Sequence, residues 1–311
     1  METVLITGGT GLVGKALTAQ LVKKGYSVII LTRKLPSGNN SQPQIKYALW
    51  NVKANTIDAE AIRKADHIIH LAGAGVVDKR WTAAYKKEIA DSRTQSSALL
   101  ITAMKEHSNK IQTVVSASAT GWYGEDGRQQ KGSKGFIESD PPAEDFLGET
   151  CRLWEQSIEP AEQMGKRVVK IRTGIVLSND GGAFAEFKKP LSFGIAGILG
   201  NGTQTVSWIH IDDLCRIYVE ALQNKQLAGS YNATAPTPVT NKTLTMQLAA
   251  RLKGKLFIPV HVPAFVLKLM LGESSIEVLK SCTVSCEKIK QTGFTFLYPS
   301  IEAALAQLCS E

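Results

Sequence analysis

The chain has 311 residues, 43% hydrophobic and 21% charged, with a formal net charge of +8 from 36 basic and 28 acidic side chains. That length supports a large core and about two structural units, and the ordinary composition excludes a disordered or fibrous chain. No run approaches the ~20 apolar residues of a membrane span, and the basic residues lie scattered in isolated pairs such as Lys23-Lys24, Lys86-Lys87 and Lys188-Lys189, so neither a membrane nor nucleic acid is the expected partner.

Residues 3–7 read as a short buried strand that runs into glycines at 8, 11 and 14 and then into a helical pattern over 12–24. Strand, glycine turn and helix form a dinucleotide fingerprint. Gly8 turns the chain off the strand, Gly11 leaves room for a pyrophosphate against the backbone, and Gly14 lets the helix approach the sheet. The helix start offers free N–H groups and a positive dipole end to the phosphates. A tight strand-to-helix turn without a ligand is the bland alternative.

Further strands are expected at 27–32, 45–49, 66–71, 111–117 and 167–173, with helices at 82–106 and 144–165. Strands separated by amphipathic helices predict an α/β fold, a Rossmann-type doubly wound parallel sheet. Ligands bind such sheets beyond the carboxyl ends of the strands. Those ends carry Thr7-Gly8, Thr32-Arg33, Leu71-Ala72-Gly73, Ser116-Ala117-Ser118 and Arg172-Thr173-Gly174. The second strand runs into Arg33-Lys34, and no carboxylate occurs between Lys23 and Asp58. A guanidinium and an ammonium there suit a ribose 2′-phosphate, so NADP(H) is expected rather than NAD(H).

After residue 175 the rhythm changes to a glycine-rich, loop-rich stretch with short helices near 212–224, 240–253, 264–271 and 300–309. Residues 1–175 are therefore expected to form the NADP-binding domain, to which later segments such as 204–235 could add strands. Residues 176–311 would form a smaller, mostly C-terminal α+β region on the substrate side, without a fully independent core. The five cysteines (151, 215, 282, 286, 309) are odd in number and scattered, which predicts free thiols and no metal. The N-terminus reads straight into a strand, with no secretory leader, so the expected location is cytoplasmic.

Several motifs carry a resemblance. With the fingerprint, Leu71-Ala72-Gly73 and Trp208-Ile-His-Ile-Asp-Asp213, the chain resembles an extended short-chain dehydrogenase/reductase. Arg80-Trp81-Thr82, Ser92-Arg93, the Ser116–Gly124 stretch, Asp145-Phe-Leu147, Trp154-Glu155 and Gly293-Phe-Thr-Phe make it similar, more narrowly, to atypical epimerase family proteins of the SDR39U1 and YfcH type. The resemblance implies a Rossmann core, NADP(H), and a sugar-nucleotide-like or other carbonyl or carbinol substrate. It implies Gly8, Thr10, Gly11, Leu12 and Val13 at the pyrophosphate, Arg33 and Lys34 at the 2′-phosphate, and Asn51 near the adenine. Leu71, Ala72 and Gly73 would border the nicotinamide ribose, Thr173, Gly174 and Ile175 the nicotinamide, and Ser116 would also be cofactor-binding. Ser118 would bond the substrate oxygen, and residues 258–306 would be a small appended domain.

The departure from the wider superfamily lies in its Tyr-x-x-x-Lys pair, which moves the proton and binds the nicotinamide ribose. Anchored on Trp154-Glu155, the helix carries Leu147 and Cys151 in those places, and Ser92 stands for the helical asparagine. Tyr123, on a glycine-flanked loop, is a candidate substitute acid, with packing on the small domain as its alternative. His210 could titrate near neutrality, but a structural role is expected, with Asp212 or Asp213 capping the next helix. Lys79 and Arg80 are candidate anchors for an anionic substrate group. Two functions follow: an NADP-dependent oxidoreductase or epimerase, monomer or homodimer, acting on an unidentified small molecule; or a non-catalytic NADP(H)-binding redox sensor or scaffold.

Overall fold

A strand covered on both faces needs apolar side chains at successive positions, and the first strand has them. Val4 and Ile6 point to one face and Leu5 to the other, and all three are fully buried. The computed structural model describes residues 1–36, 42–129 and 134–310. Its first half runs β1 (Thr3–Thr7), α1 (Leu12–Lys23), β2 (Ser27–Thr32), β3 (Ile45–Asn51), β4 (Thr56–Ile57), α2 (Ala59–Lys64), β5 (His67–His70), α3 (Ala83–Glu106), β6 (Thr113–Ala119), α4 (Phe146–Ile158), α5 (Pro160–Gln163) and β7 (Arg167–Thr173).

The second half adds β8 (Ile175–Leu177), α6 (Ala183–Leu191), β9 (Ile195–Leu199), β10 (Thr205–Val206), β11 (Trp208–His210), α7 (Ile211–Gln223), β12 (Gly229–Ala233), β13 (Val239–Thr240) and α8 (Asn241–Lys253). It closes with β14 (Ile258–Val262), α9 (Ala264–Leu271), α10 (Ile276–Leu279), α11 (Glu287–Gln291) and α12 (Ile301–Leu308). The main sheet has the order β12-β7-β6-β5-β1-β2-β3-β4 and is parallel apart from the β3–β4 pair. The order reverses between β1 and β5, which opens the crevice used by ligands in doubly wound sheets.

Each face has its own core. Val4, Ile6, Val28, Ile30 and Val169 meet Leu17, Leu21, Ile217 and Tyr218 of α1 and α7. Leu5, Ile29, Ile68, Val114 and Val168 meet Ile62, Leu100, Met104 and Ile158 of α2, α3 and α4. Each such side chain, taken wholly out of water, stabilises the fold by about 1.5–3 kcal/mol.

Three expectations are corrected. The helix expected over 144–165 is two helices, because Pro160 lacks the N–H that a continuous helix needs and instead begins α5. The loop-rich stretch after 175 contains α6 and β9. The second lobe also has its own apolar cluster, with Leu177, Phe184, Trp208, Leu244, Leu248 and Leu305 among its members. Chain order and lobes do not coincide, since β12 extends the main sheet beside β7 and α7 covers it. Among the described residues no helix is long and apolar enough to cross a membrane.

Candidate functional site

The crevice is built by two loops pressed together. Gly8 has φ +68°, and a Cβ on it would stand 2.9 Å from the carbonyl carbon of Leu71. Thr7 Oγ1 accepts from the N–H groups of Leu71 and Ala72, both at 3.1 Å. Its lone pairs are thereby used, so its own proton goes to His70 Nδ1, 2.7 Å away. That assigns the His70 proton to Nε2, which donates to Ser97 and Ser96 on α3. Burial lowers the His70 pKa to about 4, and the imidazole is neutral.

The start of α1 is open. Side chains cap α2, α3, α4 and α7, which also cover the main sheet, whereas α1 begins at Gly11 with no side-chain cap and no acidic residue in its first turn. Leu12 and Val13 therefore offer N–H groups without intrahelical partners. A Cβ on Gly14 would fall 2.2 Å from Gly8 O, so only glycine lets the helix start this close to the strand end. Arg33 and Lys34, at the end of β2, are exposed, and among the described residues neither is in a salt bridge. Asn51 ends β3, its Oδ1 accepting from Ala54 N–H. Thr173, Gly174 and Ile175 form the step from β7 to β8, and a Cβ on Gly174 would meet Ser207 O at 2.3 Å. Ser116 is buried on β6. The topology thus brings these sequence-expected residues to one edge of the sheet.

Ser118 and Tyr123 are different. Ser118 Oγ is buried and donates to Glu155 Oε1 at 2.7 Å. Glu155 also accepts from Arg172 Nε at 2.8 Å and Nη2 at 3.0 Å, and from Ser230 Oγ at 3.1 Å. Arg172 Nη1 donates to Tyr123 Oη at 3.0 Å, and Tyr123 donates to Asn232 Oδ1 at 2.6 Å. The Tyr123 ring is 1% exposed and stacks on Phe136 with centroids 5.0 Å apart. Tyr123 thus packs under Phe136 and Val284, the alternative to a cleft-facing acid. Desolvation raises its pKa further, and both of its oxygen's bonds are internal. The Ser118 proton is likewise committed to a buried ion pair.

The helix that carries Leu147 and Cys151 packs them against the turn after β6. A Cβ on Gly121 would stand 3.3 Å from Leu147 Cβ and 3.7 Å from Cys151 Sγ. Burial pushes the Cys151 thiol up to about 12, so it is neutral and cannot act as a cation. Arg93 is the nearby charge that sequence reasoning missed. Its Nη1 donates to Ala74 O at 3.0 Å and Ile89 O at 2.9 Å, and its guanidinium lies 4.8 Å from the Trp154 ring centroid. A Cβ on Gly73 would approach it to 3.1 Å. Among the described residues no carboxylate pairs with it.

His210 does have a structural role, but as the cap itself. Its Nδ1 accepts from Asp212 N–H at 3.1 Å, so Nε2 carries the proton and donates to Gln307 Oε1 at 2.9 Å. Asp213 caps nothing; fully buried, it accepts from Leu297 and Tyr298 N–H. Arg80 is a tether rather than an anion site, bound to the carbonyls of Leu269 and Met270. Lys79 lies 3.5 Å from Glu88.

Comparison with known proteins fits this architecture. The profile of the NAD dependent epimerase/dehydratase family matches residues 4–146, and a domain of unknown function, DUF1731, matches 262–308. An epimerase family protein of Staphylococcus aureus (strain MRSA252) is 36% identical over 311 residues, all of both chains. One from Staphylococcus saprophyticus is 36% identical over 310 residues, 99% of each. Among solved structures, the human epimerase family protein SDR39U1 with NADPH superposes with a TM-score of 0.85 at 27% identity, covering 99% of both chains. A nucleoside-diphosphate sugar epimerase from Corynebacterium glutamicum gives 0.76 at 35% identity, covering 99% of this chain and 58% of that one. With full-length relatives at this identity, a superposition that covers 99% of both chains and both family matches, the chain belongs to the epimerase family proteins of the SDR39U1 type, within the extended short-chain dehydrogenase/reductases.

Proposed function

We propose that this protein binds NADP(H) across the β1–β5 crevice and acts as an oxidoreductase or epimerase on a carbonyl or carbinol substrate. The carrying observation is the uncapped start of α1 beneath the glycine turn, joined by Arg33 and Lys34 one strand away. The residues fit the dinucleotide: a Cβ at Gly14 would close the cradle, and the first-turn N–H groups lack partners. Leu12 and Val13 N–H would hold the pyrophosphate, and Arg33 and Lys34 the 2′-phosphate. Asn51 would lie toward the adenine, and Leu71–Gly73 with Thr173–Ile175 would border the nicotinamide end. NADPH in the human relative supports the phosphorylated form. Once bound, the dinucleotide supplies a hydride donor or acceptor. The chain's own contribution is to orient it and to exclude water with apolar walls such as Ile175 and Leu147.

Leu147 and Cys151 favour a second reading, an NADP(H)-responsive scaffold without turnover, because neither can exchange a proton at neutral pH. Titrating wild type and Arg33→Ala with NADPH and NADH, read by nucleotide fluorescence, tests the shared cofactor assignment. The charge-assisted phosphate contact predicts about 10-fold or greater loss for NADPH and little change for NADH. Equal affinities of the variant and wild type for NADPH would overturn it. Turnover of NADPH with a panel of carbonyl compounds separates the two readings.

A further inference from the structure

Two cavities meet at one side chain. An outer groove of about 810 Å³ is walled by α9, the turn at Gly272–Ser275 and Glu125. An inner cavity of about 130 Å³ lies beyond the ends of β6 and β7, against Thr120, Gly121, Ile175 and Phe187. At ~30 Å³ per water it holds roughly four waters, or one compact organic group. Lys280 borders both spaces.

The Lys280 side chain is 8% exposed, and its Nζ lies 2.6 Å from Glu277 Oε1. Glu277 pairs with Nζ by charge, and among the described residues Nζ meets no other acceptor. A buried ammonium with N–H groups to spare gains from an oxygen in the cavity, whether of water or of a ligand that displaces it. Two neighbouring polar side chains have their donors occupied. Gln204 gives its amide hydrogens to Leu199 O and Val278 O, and Ser207 Oγ donates to Cys282 O. Much of the remaining wall is apolar, with Val206 and Val278 joining Ile175 and Phe187.

Charge selects the type of oxygen. Glu277 already balances Lys280, and in the outer groove Glu273 is paired to Lys86 while Lys268 offsets Glu125, so no positive charge is to spare. A further anion is poorly served, whereas a neutral acceptor can use the free N–H groups. Position adds a second argument. Gly121, in the inner wall, has Leu147 and Cys151 close beside it, so the cavity adjoins the place that lacks an acid.

We propose that Lys280, from the C-terminal segment, is the substrate-anchoring donor. It holds the oxygen of a compact neutral ketone, aldehyde or secondary alcohol in the inner cavity, while the rest of the molecule lies in the outer groove. This rests on the reading of the strand ends as the nicotinamide end. The test compares cyclopentanone with methylenecyclopentane, which has nearly the same shape without the oxygen, by saturation-transfer NMR titration of full-length protein with and without NADPH.

The wild type should bind the ketone about 10-fold more tightly than the alkene, the worth of a hydrogen bond from a charged donor. Lys280→Met should bind both equally. If that variant does not fold, Lys280→Gln, with a neutral donor, should lower the preference severalfold. Equal binding in wild type, no transfer to either probe, or an undiminished preference in the variant overturns the proposal. So does tighter binding of cyclopentanecarboxylate than of the ketone. NADPH fluorescence on the same samples tests the cofactor reading separately, so the two can fail independently.

Discussion

Glu155→Gln probes the buried cluster that takes in Ser118. Glu155 and Arg172 have side chains 4% and 3% exposed, and the carboxylate accepts four bonds, two of them from the guanidinium. Glutamine keeps the shape but turns a donor toward donors, and leaves the Arg172 charge without a counter-ion. The other bonds of Arg172, to Glu138 O and Tyr123 Oη, go to neutral atoms. Removing one partner of a buried pair costs about 3–5 kcal/mol, a large share of a total near 5–15 kcal/mol. Ser118→Ala removes one donor and leaves the carboxylate three, so it should cost only about 1–2 kcal/mol. Urea melts followed by tryptophan fluorescence suit the measurement, because the Trp122 ring lies 3.7 Å from the Arg172 guanidinium. The double variant should fall short of the summed losses, since the two side chains touch. If Glu155→Gln lay within about 1 kcal/mol of wild type, the counter-ion reasoning would be wrong. If Ser118→Ala abolished turnover without moving the melt, Ser118 would be a catalytic residue rather than part of the scaffold.

Two further outcomes follow from burial. His70 has a folded pKa of about 4 against ~6.5 unfolded, so its stabilising contribution is complete above pH ~6.5 and is lost as pH falls toward 4. Urea midpoints should show about 2 kcal/mol lost to this residue by pH 5, and His70→Gln should shrink the pH dependence; an unchanged dependence counts against the neutral imidazole. Burial also pushes the Cys151 and Cys215 thiols up to about 12, whereas Cys309 is only half-buried. Ellman's reagent at pH 8 should therefore modify Cys309 well before Cys151 or Cys215, and rapid labelling of Cys151 would show that α4 does not seal it.

What was legible in the sequence was local. The glycine turn, the parallel sheet expected from βαβ alternation and the basic pair after β2 depend on neighbours in the chain, and each lies where the pattern put it. The polar cluster is not local, because Ser118 meets Glu155 37 residues on and Tyr123 meets Asn232 109 residues on. For that reason the sequence left Tyr123 open between a cleft-facing acid and a packed ring, and distant residues decide it, since Phe136 and Val284 cover the ring. The helix cap expected of Asp212 or Asp213 is made by His210 instead. The imidazole follows an extended residue and is free to accept from Asp212 N–H, while Asp213 points into the fold at N–H groups more than 80 residues away. His70 had no signal beyond its place at a strand end, since its importance comes from Thr7 and α3.

The C-terminal segment is better understood as the other half of the reactive end than as an appendage. Asp126, on the loop after β6, accepts from Ser281 Oγ, Thr283 N–H and Thr283 Oγ1. Val284 lies against Tyr123 and Phe136, and Asp213 holds Leu297 and Tyr298 at the start of α7. These ties reach the strand-end loop of β6 and the helix that covers the sheet, so the segment cannot leave without uncovering a buried carboxylate and the Tyr123 ring. Such a requirement explains how a segment of short helices and loops can hold one lysine at a fixed place in the cavity that Gly121 also lines. In a fold whose α4 helix has no acid at Leu147 or Cys151, a polar group for the substrate must come from another element. Lys280 is delivered by the element that these loops already need for their own packing.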